Sequence, residues 1–309
     1  MAWPGYQDAQ LPDAHEVALP TGCLYLLVNL AEDQTRWYDG DGFAAANARR
    51  GAVLLSAWTG PVGVDLAEQR AVVDVAFRPG GAHPFFDPPA SAIDEPAVEL
   101  EALWGRDGAV LRERLLEAST PRAMLAALES VLLARAARPL QPDWAIAWAA
   151  SALDRGARVA EVADRLGMTD RTLLRGFTER VGLPPKRFAR VRRLQRLLAW
   201  IPRGEQIDWA RAAAESGYFD QAHLINEFRA LTGMTPGAYR PRPAGWLRAR
   251  PRAAARLTVF SNRRRHRRRH TAPMGYVLLP LLGRAGRSAP SLMPPQTRKE
   301  RHRDHPAGG

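Results

Sequence analysis

Between Val159 and Tyr239 the chain carries one pattern twice. The first copy, VAEVADRLGMTDRTLLRGFTERVGLPPKRF, begins at Val159, and the second, WARAAAESGYFDQAHLINEFRALTGMTPGAY, begins at Trp209. Ala163 and Gly167 match Ala213 and Gly217 at an offset of 50, whereas Leu173, Gly182, Pro185 and Phe188 match Leu224, Gly233, Pro236 and Tyr239 at 51. One residue is therefore inserted at the turn of the second copy. Each copy combines a short helix, a glycine-marked turn and a second amphipathic helix, which is the layout of a helix-turn-helix unit. A helical repeat that binds protein is the plainer alternative. Two such units with cationic outward positions favour DNA, because the scaffold presents its second helix to the major groove.

The periodicity of each copy separates core from surface. In the first, Val159, Val162, Ala163 and Leu166 form an apolar stripe, Thr169 or Asp170 caps the second helix, and Leu173 and Phe177 face inward. Asp170, Arg171, Leu174, Arg175 and Thr178 are left outward. In the second, Ala210, Ala213 and Ala214 are small enough for close helix contact, Asp220 is the cap, and Leu224 and Phe228 are the core pair. Gln221, Ala222, Ile225, Asn226 and Arg229 are outward there. A helix over 184–201 joins the units, with Phe188, Val191, Leu194, Leu197 and Leu198 inward. A connector of about 15 residues spans roughly 22 Å and fixes the spacing of two reading heads.

The net charge of +12 is unevenly spread. Residues 1–154 carry −10, residues 155–240 carry +7 and residues 241–309 carry +15. An acidic first half followed by a basic second half places any polyanion partner on the C-terminal side. The single cysteine, Cys23, excludes an internal disulfide and a multi-cysteine zinc site, and it opens the apolar run CLYLLVNLA as a buried thiol rather than a nucleophile. No run approaches the ~18–20 apolar residues of a membrane span, and no secretory signal pattern is present, so a cytoplasmic location is expected.

Upstream of the repeat, short β-branched and aromatic runs (Cys23 to Ala31, Val53 to Trp58, Ala71 to Phe77) alternate with turn clusters such as DGDG and TGPVG. They predict a small β-sandwich or barrel. Helices follow over Asp107 to Ala118 and Pro121 to Arg138, and ARPLQPD (Ala137 to Asp143) marks a boundary. A further helix capped by Asp143 should bury Trp144, Trp148 and Leu153. The chain is thus expected to be α+β: a β-rich domain with helices over 1–140, then an all-α domain over 141–240 with helix-turn-helix units at 159–180 and 209–232. Residues 241–309, rich in Arg and Pro, are expected to be a disordered tail.

GYFDQAHLINEFRALTGMTPGAYR resembles the C-terminal signature of the AraC/XylS-type transcription regulators, and LGMTDRTLLRGF resembles the first reading helix of that family. The resemblance covers residues 141–240. It implies two reading helices in adjacent major-groove segments on one face of promoter or operator DNA, with Arg171, Leu174, Arg175 and Thr178 in the first and Gln221, Ala222, Ile225 and Asn226 in the second. The family usually has Arg or Lys where Asn226 stands, so the second head contributes less to phosphate binding. VDVAFRPGGAHPFF and ELEALWG resemble, less specifically, the β-rich N-terminal domain of one subgroup, which implies a sensory or dimerisation role. The partners implied are double-stranded DNA, RNA polymerase, a small-molecule effector and a second copy of the chain.

Other constellations are weak. His83 in GGAHPFF has no H-x-H partner, and His223 has no second ligand beside it, so no metal and no cofactor are expected. Asp94 and Glu95 read as a solvated loop. No nucleophile, base and orienting group come together, and a lone cysteine argues against an alkyl-transfer repair enzyme, so no catalysis is expected. The run SNRRRHRRRHTAP supports one rival function, a non-specific nucleic-acid-binding protein driven by its tail.

Overall fold

The computed structural model describes residues 5–6, 15–39, 46–65, 71–93, 95–201, 207–239 and 255–261. Two five-stranded antiparallel sheets make up the β-rich part. Sheet A holds β1 (Gly5–Tyr6), β2 (His15–Ala18), β4 (Gln34–Asp39), β5 (Ala46–Arg50) and β7 (Val62–Asp65), in the order β1-β2-β7-β4-β5. Sheet B holds β3 (Tyr25–Asn29), β6 (Ala52–Leu55), β8 (Ala71–Phe77), β9 (Ala97–Glu99) and β10 (Ala255–Ser261), in the order β10-β8-β3-β6-β9. Within 241–309, where no regular structure is expected from the sequence, Ala255–Ser261 pairs antiparallel with β8. The basic run that follows lies outside the described residues.

The central strands of sheet B are covered on both faces, which explains why β3, β6 and β8 are mostly apolar runs rather than alternating ones. Tyr25, Leu27, Val53 and Leu55 face sheet A and pack with Trp37. Leu26, Val28, Leu54, Val73 and Val75 face a helical layer. That layer consists of α1 (Leu100–Trp104), α2 (Arg106–Ala109), α3 (Leu111–Glu117) and α4 (Pro121–Arg135). The single helix expected over Asp107 to Ala118 is thus two, broken at Val110. Trp104 stacks on Phe86 at 5.1 Å and donates its indole N–H to the carbonyl of Phe85 at 2.9 Å, tying the RPGGAHPFF loop to the layer.

The regular structure described between 144 and 232 is helical: α5 (Trp144–Asp154), α6 (Val159–Leu166), α7 (Asp170–Val181), α8 (Pro185–Trp200), α9 (Trp209–Ser216) and α10 (Gln221–Thr232). Asp143 caps α5 by accepting from the N–H groups of Ala145 and Ile146. The buried face of α5 is Ala145, Ile146, Ala149 and Leu153; Trp144, expected inside, is 54% exposed because it sits one turn early on the opposite side. In α9 the close contact uses Ala212 and Ala213, while Ala210 and Ala214 are exposed, a shift of the stripe by one position.

The N-terminal and helical parts do not have separate cores. One cluster runs from Leu26 and Val75 through Leu128 and Ile146 to Leu173, Phe177 and Phe188. A second joins Val17 and Leu19 to Val191, Leu194 and Leu197 of α8 and to Leu224 and Phe228 of α10. The segment 17–24 lies against α8. There Arg192 donates to both carboxylate oxygens of Asp154 (2.8 and 3.3 Å) and to the carbonyl of Thr21 (3.2 Å), and Gln195 donates to the carbonyl of Pro20 at 2.6 Å. Gly22, at φ +75°, allows this approach, since a Cβ there would stand 3.2 Å from the Phe188 ring.

Leu194 touches the core that α8 shares with 17–19 and α10. Leu194→Ala should cost about 3 kcal/mol of stability, the usual range for a fully buried leucine. Amide hydrogen exchange should accelerate together in 17–19 and in α10; acceleration confined to α8 would contradict the shared core.

Candidate nucleic-acid interface

The two helix-turn-helix units are built alike. In the first, Gly167 ends α6 in the left-handed conformation at φ +63°, the next residue, Met168, returns its N–H to the carbonyl of Ala163 at 3.0 Å, and Thr169 caps α7 by accepting from Thr172 N–H at 3.2 Å. In the second, Gly217 ends α9 at φ +79°, Tyr218 returns its N–H to Ala213 at 2.9 Å, and Asp220 caps α10 by accepting from His223 N–H at 2.7 Å. Met168 therefore corresponds to Tyr218 and Thr169 to Asp220. The inserted residue is Phe219. Its side chain is 91% exposed, and its N–H donates to Nδ1 of His223 at 3.2 Å, so the extra residue is accommodated by a side-chain acceptor.

On α7, Leu173, Phe177 and Val181 are buried while Arg171, Leu174 and Arg175 are exposed, Leu174 at 49%. Among the described residues neither arginine enters an ion pair. Thr178 is half-buried and its hydroxyl donates to the carbonyl of Leu174 at 2.6 Å, which leaves its oxygen as an acceptor only. On α10, Gln221, Ala222, Asn226 and Arg229 are exposed, but Ile225 is half-buried against the core that contains Leu224 and Phe228. Arg171, Leu174 and Arg175 thus share one open face, as do Ala222 and Asn226. Ile225 and Thr178 serve as shoulders of those faces.

Buried ionic contacts fix the orientation of α10 on α8. Glu227 is only 6% exposed and accepts from Arg190 at 2.8 Å, with Arg193 at 3.5 Å on its other oxygen and His223 Nε2 at 3.9 Å. Arg193 also lies over the Tyr218 ring at 5.3 Å, and burial pushes the Tyr218 phenol well above its ordinary range, so it stays neutral. Arg196 donates to the carbonyls of Asp154 and Ser216. The arginines at 190, 192, 193 and 196, which add to the basic character of α8 in the sequence, are therefore engaged in contacts within the protein, Arg190 from an exposed position. His223 is part of this packing, and among the described residues no group of three or more His, Cys, Asp or Glu side chains could hold a metal ion.

Residues 162–242 match the family model of a helix-turn-helix domain. They carry an AraC-type DNA-binding unit. The match spans both repeats of this AraC-type unit and leaves the β-rich part unmatched. A search of curated proteins returned no match. Solved structures of ToxT from Vibrio cholerae are similar at 13% identity, covering 72% of this chain and 97% of that one, with a TM-score of 0.36. ToxT from strain O395 gives 14%, 73% and 96%, and 0.33, and an unsaturated-fatty-acid-bound ToxT gives 11%, 75% and 88%, and 0.36.

A cavity of about 120 Å³ lies where the RPGGAHPFF loop meets the AraC-type unit, walled by Phe77, Phe85, Leu132 and Ile146 with His83 and Arg180 at its polar side. Arg180, on the inner side of α7, pairs with Asp143 at 3.4 Å. Desolvation, helped by Arg138 and Arg180, holds His83 below the usual histidine range and hence neutral at pH 7. The sandwich interior, filled by Trp37, Trp58 and Leu27, retains only about 30 Å³. Cys23 is half-buried and burial raises its thiol pKa, so it is not primed as a nucleophile. Among the described residues no helix is long and apolar enough to cross a membrane.

Glu227→Ala leaves Arg190 and Arg193 facing an empty buried site. It should cost about 2 kcal/mol, less than for a fully enclosed pair because both arginines keep some solvent. Calorimetric unfolding checks this, and an unchanged midpoint would remove Glu227 from the supports of α10.

Proposed function

We propose that this protein is a sequence-specific transcription regulator that seats α7 and α10 in successive major-groove segments on one face of double-stranded DNA. The observation that carries this is the pair of equivalent open faces, Arg171, Leu174 and Arg175 on one helix and Gln221, Ala222 and Asn226 on the other, held by one rigid helix. A helix of 16 residues is about 24 Å long, which suits heads separated by most of a DNA turn. Arg171 and Arg175 are the side chains suited to guanine O6 and N7, and their freedom from internal pairing leaves them available.

Arg171→Ala and Arg175→Ala should each weaken binding to a selected site by about 1–3 kcal/mol and relax preference at one base position. The tail-driven alternative is separated by replacing the arginines of SNRRRHRRRHTAP with glutamine, which retains β10. Site preference should survive that change, with only a shallower salt dependence. Loss of preference with the tail arginines, and none with Arg171 and Arg175, would reverse the assignment.

The N-terminal part is proposed to be sensory, with the cavity beside Arg180 as the effector site, since the sandwich interior has no comparable room. Its size suits one ring or a short chain, and the polar side offers a neutral imidazole and a guanidinium. Benzoate and benzyl alcohol are suitable probes. Either should raise the melting temperature of the native chain and not of Ala147→Phe, which fills the cavity; no shift with any ring-sized probe at millimolar concentration overturns the site.

A further inference from the structure

The two heads differ in more than one residue. Where α7 presents Arg171 and Arg175, the equivalent positions of α10 present Ala222 and Asn226, and the only exposed cation on that helix is Arg229, two turns in from its start. At its entrance α10 carries instead the inserted Phe219, almost wholly in solvent, directly before the Asp220 cap. An aromatic ring left that open is unfavourable in the free protein, by about 25 cal/mol for each Å² of apolar surface kept in water. The backbone around it is held: its N–H is bonded to His223, whose ring packs edge-on against Tyr218 at 5.5 Å. The side chain is thus displayed from a fixed point rather than from a loose loop. In helix-turn-helix units the residues at the start of the second helix reach the base edges first.

We infer that Phe219 is a specificity-determining residue that packs on the C5-methyl of thymine, so that the second head reads A·T pairs while the first reads G·C. This rests on the DNA-binding reading above and deepens it. The chemistry of the surrounding side chains agrees. Ala222 offers a second methyl-sized apolar contact. Gln221 and Asn226 carry the amide that pairs bidentately with adenine N6 and N7. None of the three suits guanine as Arg171 and Arg175 do. With little charge of its own, the second head draws its free energy from apolar contact and amide pairing, so its contribution should be nearly independent of salt.

The test uses the full chain and a duplex recovered by selection from random sequence. Thymines of the second segment are replaced one at a time by deoxyuridine, which removes only the methyl group. Wild type should lose about fourfold in affinity at one or two positions, the worth of one buried methyl group. Phe219→Ala should bind the thymine duplex about fivefold more weakly and be indifferent to uridine at those positions, whereas Phe219→Leu should retain part of the discrimination. Because the ring touches solvent on nearly all sides, circular dichroism and melting should be unchanged in both variants. A Phe219→Ala protein with wild-type affinity and wild-type sensitivity to uridine overturns the inference alone, provided Arg171→Ala still weakens the same complex. A chain that selects no site overturns both this and the DNA-binding reading.

Discussion

The apolar stripe of α8 is the contact on which every other part of the molecule relies. Phe188, Val191, Leu194 and Leu197 are buried along one side, yet three different partners bury them: the segment 17–24, the first helix-turn-helix unit and the second. Each such side chain contributes on the order of 1.5–3 kcal/mol by leaving water. Because the stripe is shared, that stabilisation is not available to any partner alone. The spacing of α7 and α10 is consequently a property of the core. In the proposed DNA complex, the contacts do not have to supply the ordering of two loosely tethered heads, a cost that otherwise subtracts from affinity.

The same helix shows why charge read from a sequence overstates what is offered to a polyanion. Arg190, Arg192, Arg193 and Arg196 add four positive charges to the sequence of α8, but their guanidinium groups are taken up by Glu227, by Asp154 and by backbone carbonyls of Thr21 and Ser216. Arginine suits this work because its planar fork can satisfy a carboxylate and a carbonyl together. Arg171 and Arg175, one helix earlier in the chain, have no such partner among the described residues. Local net charge does not distinguish the two groups. Position relative to the buried stripe does.

Much of the helical half is legible in the sequence because its period and its punctuation agree. Gly167 and Gly217 stop helices, Asp143, Thr169 and Asp220 start them, and the buried pairs Leu173 with Phe177 and Leu224 with Phe228 recur at helical spacing. Half of the sandwich is legible for the opposite reason, since β3, β6 and β8 are enclosed on both faces and, apart from Asn29 and Asp74, stay apolar. Strands such as β5, ANARR, alternate between exposed and half-buried positions and carry two arginines, so composition alone reads them as loop. The shared core is invisible to any local pattern, since Val17 and Leu19 meet α8 across most of the chain. At the reading faces, periodicity ranks Ile225 and Thr178 with their outward neighbours. Only packing shows Ile225 leaning into the core and Thr178 bonding back to Leu174.

The single-residue offset between the copies held the clue to the remaining site residue. A repeat that keeps its turn glycine, its returning N–H bond and its cap, yet lengthens by one residue between the last two, must push that residue off the helical path. A polar residue would have been hydrated there at little cost. Phenylalanine is not, and the compensating bond from its N–H to His223 satisfies the backbone without covering the ring. The arrangement tolerates an exposed apolar surface at the mouth of the head that has the least charge to draw DNA toward it. On the proposed reading, binding by the two heads is unequal in kind: the first is electrostatic and sensitive to salt, the second apolar and sensitive to a methyl group. That reading requires both demands to fall on one face of the duplex at the spacing that α8 sets.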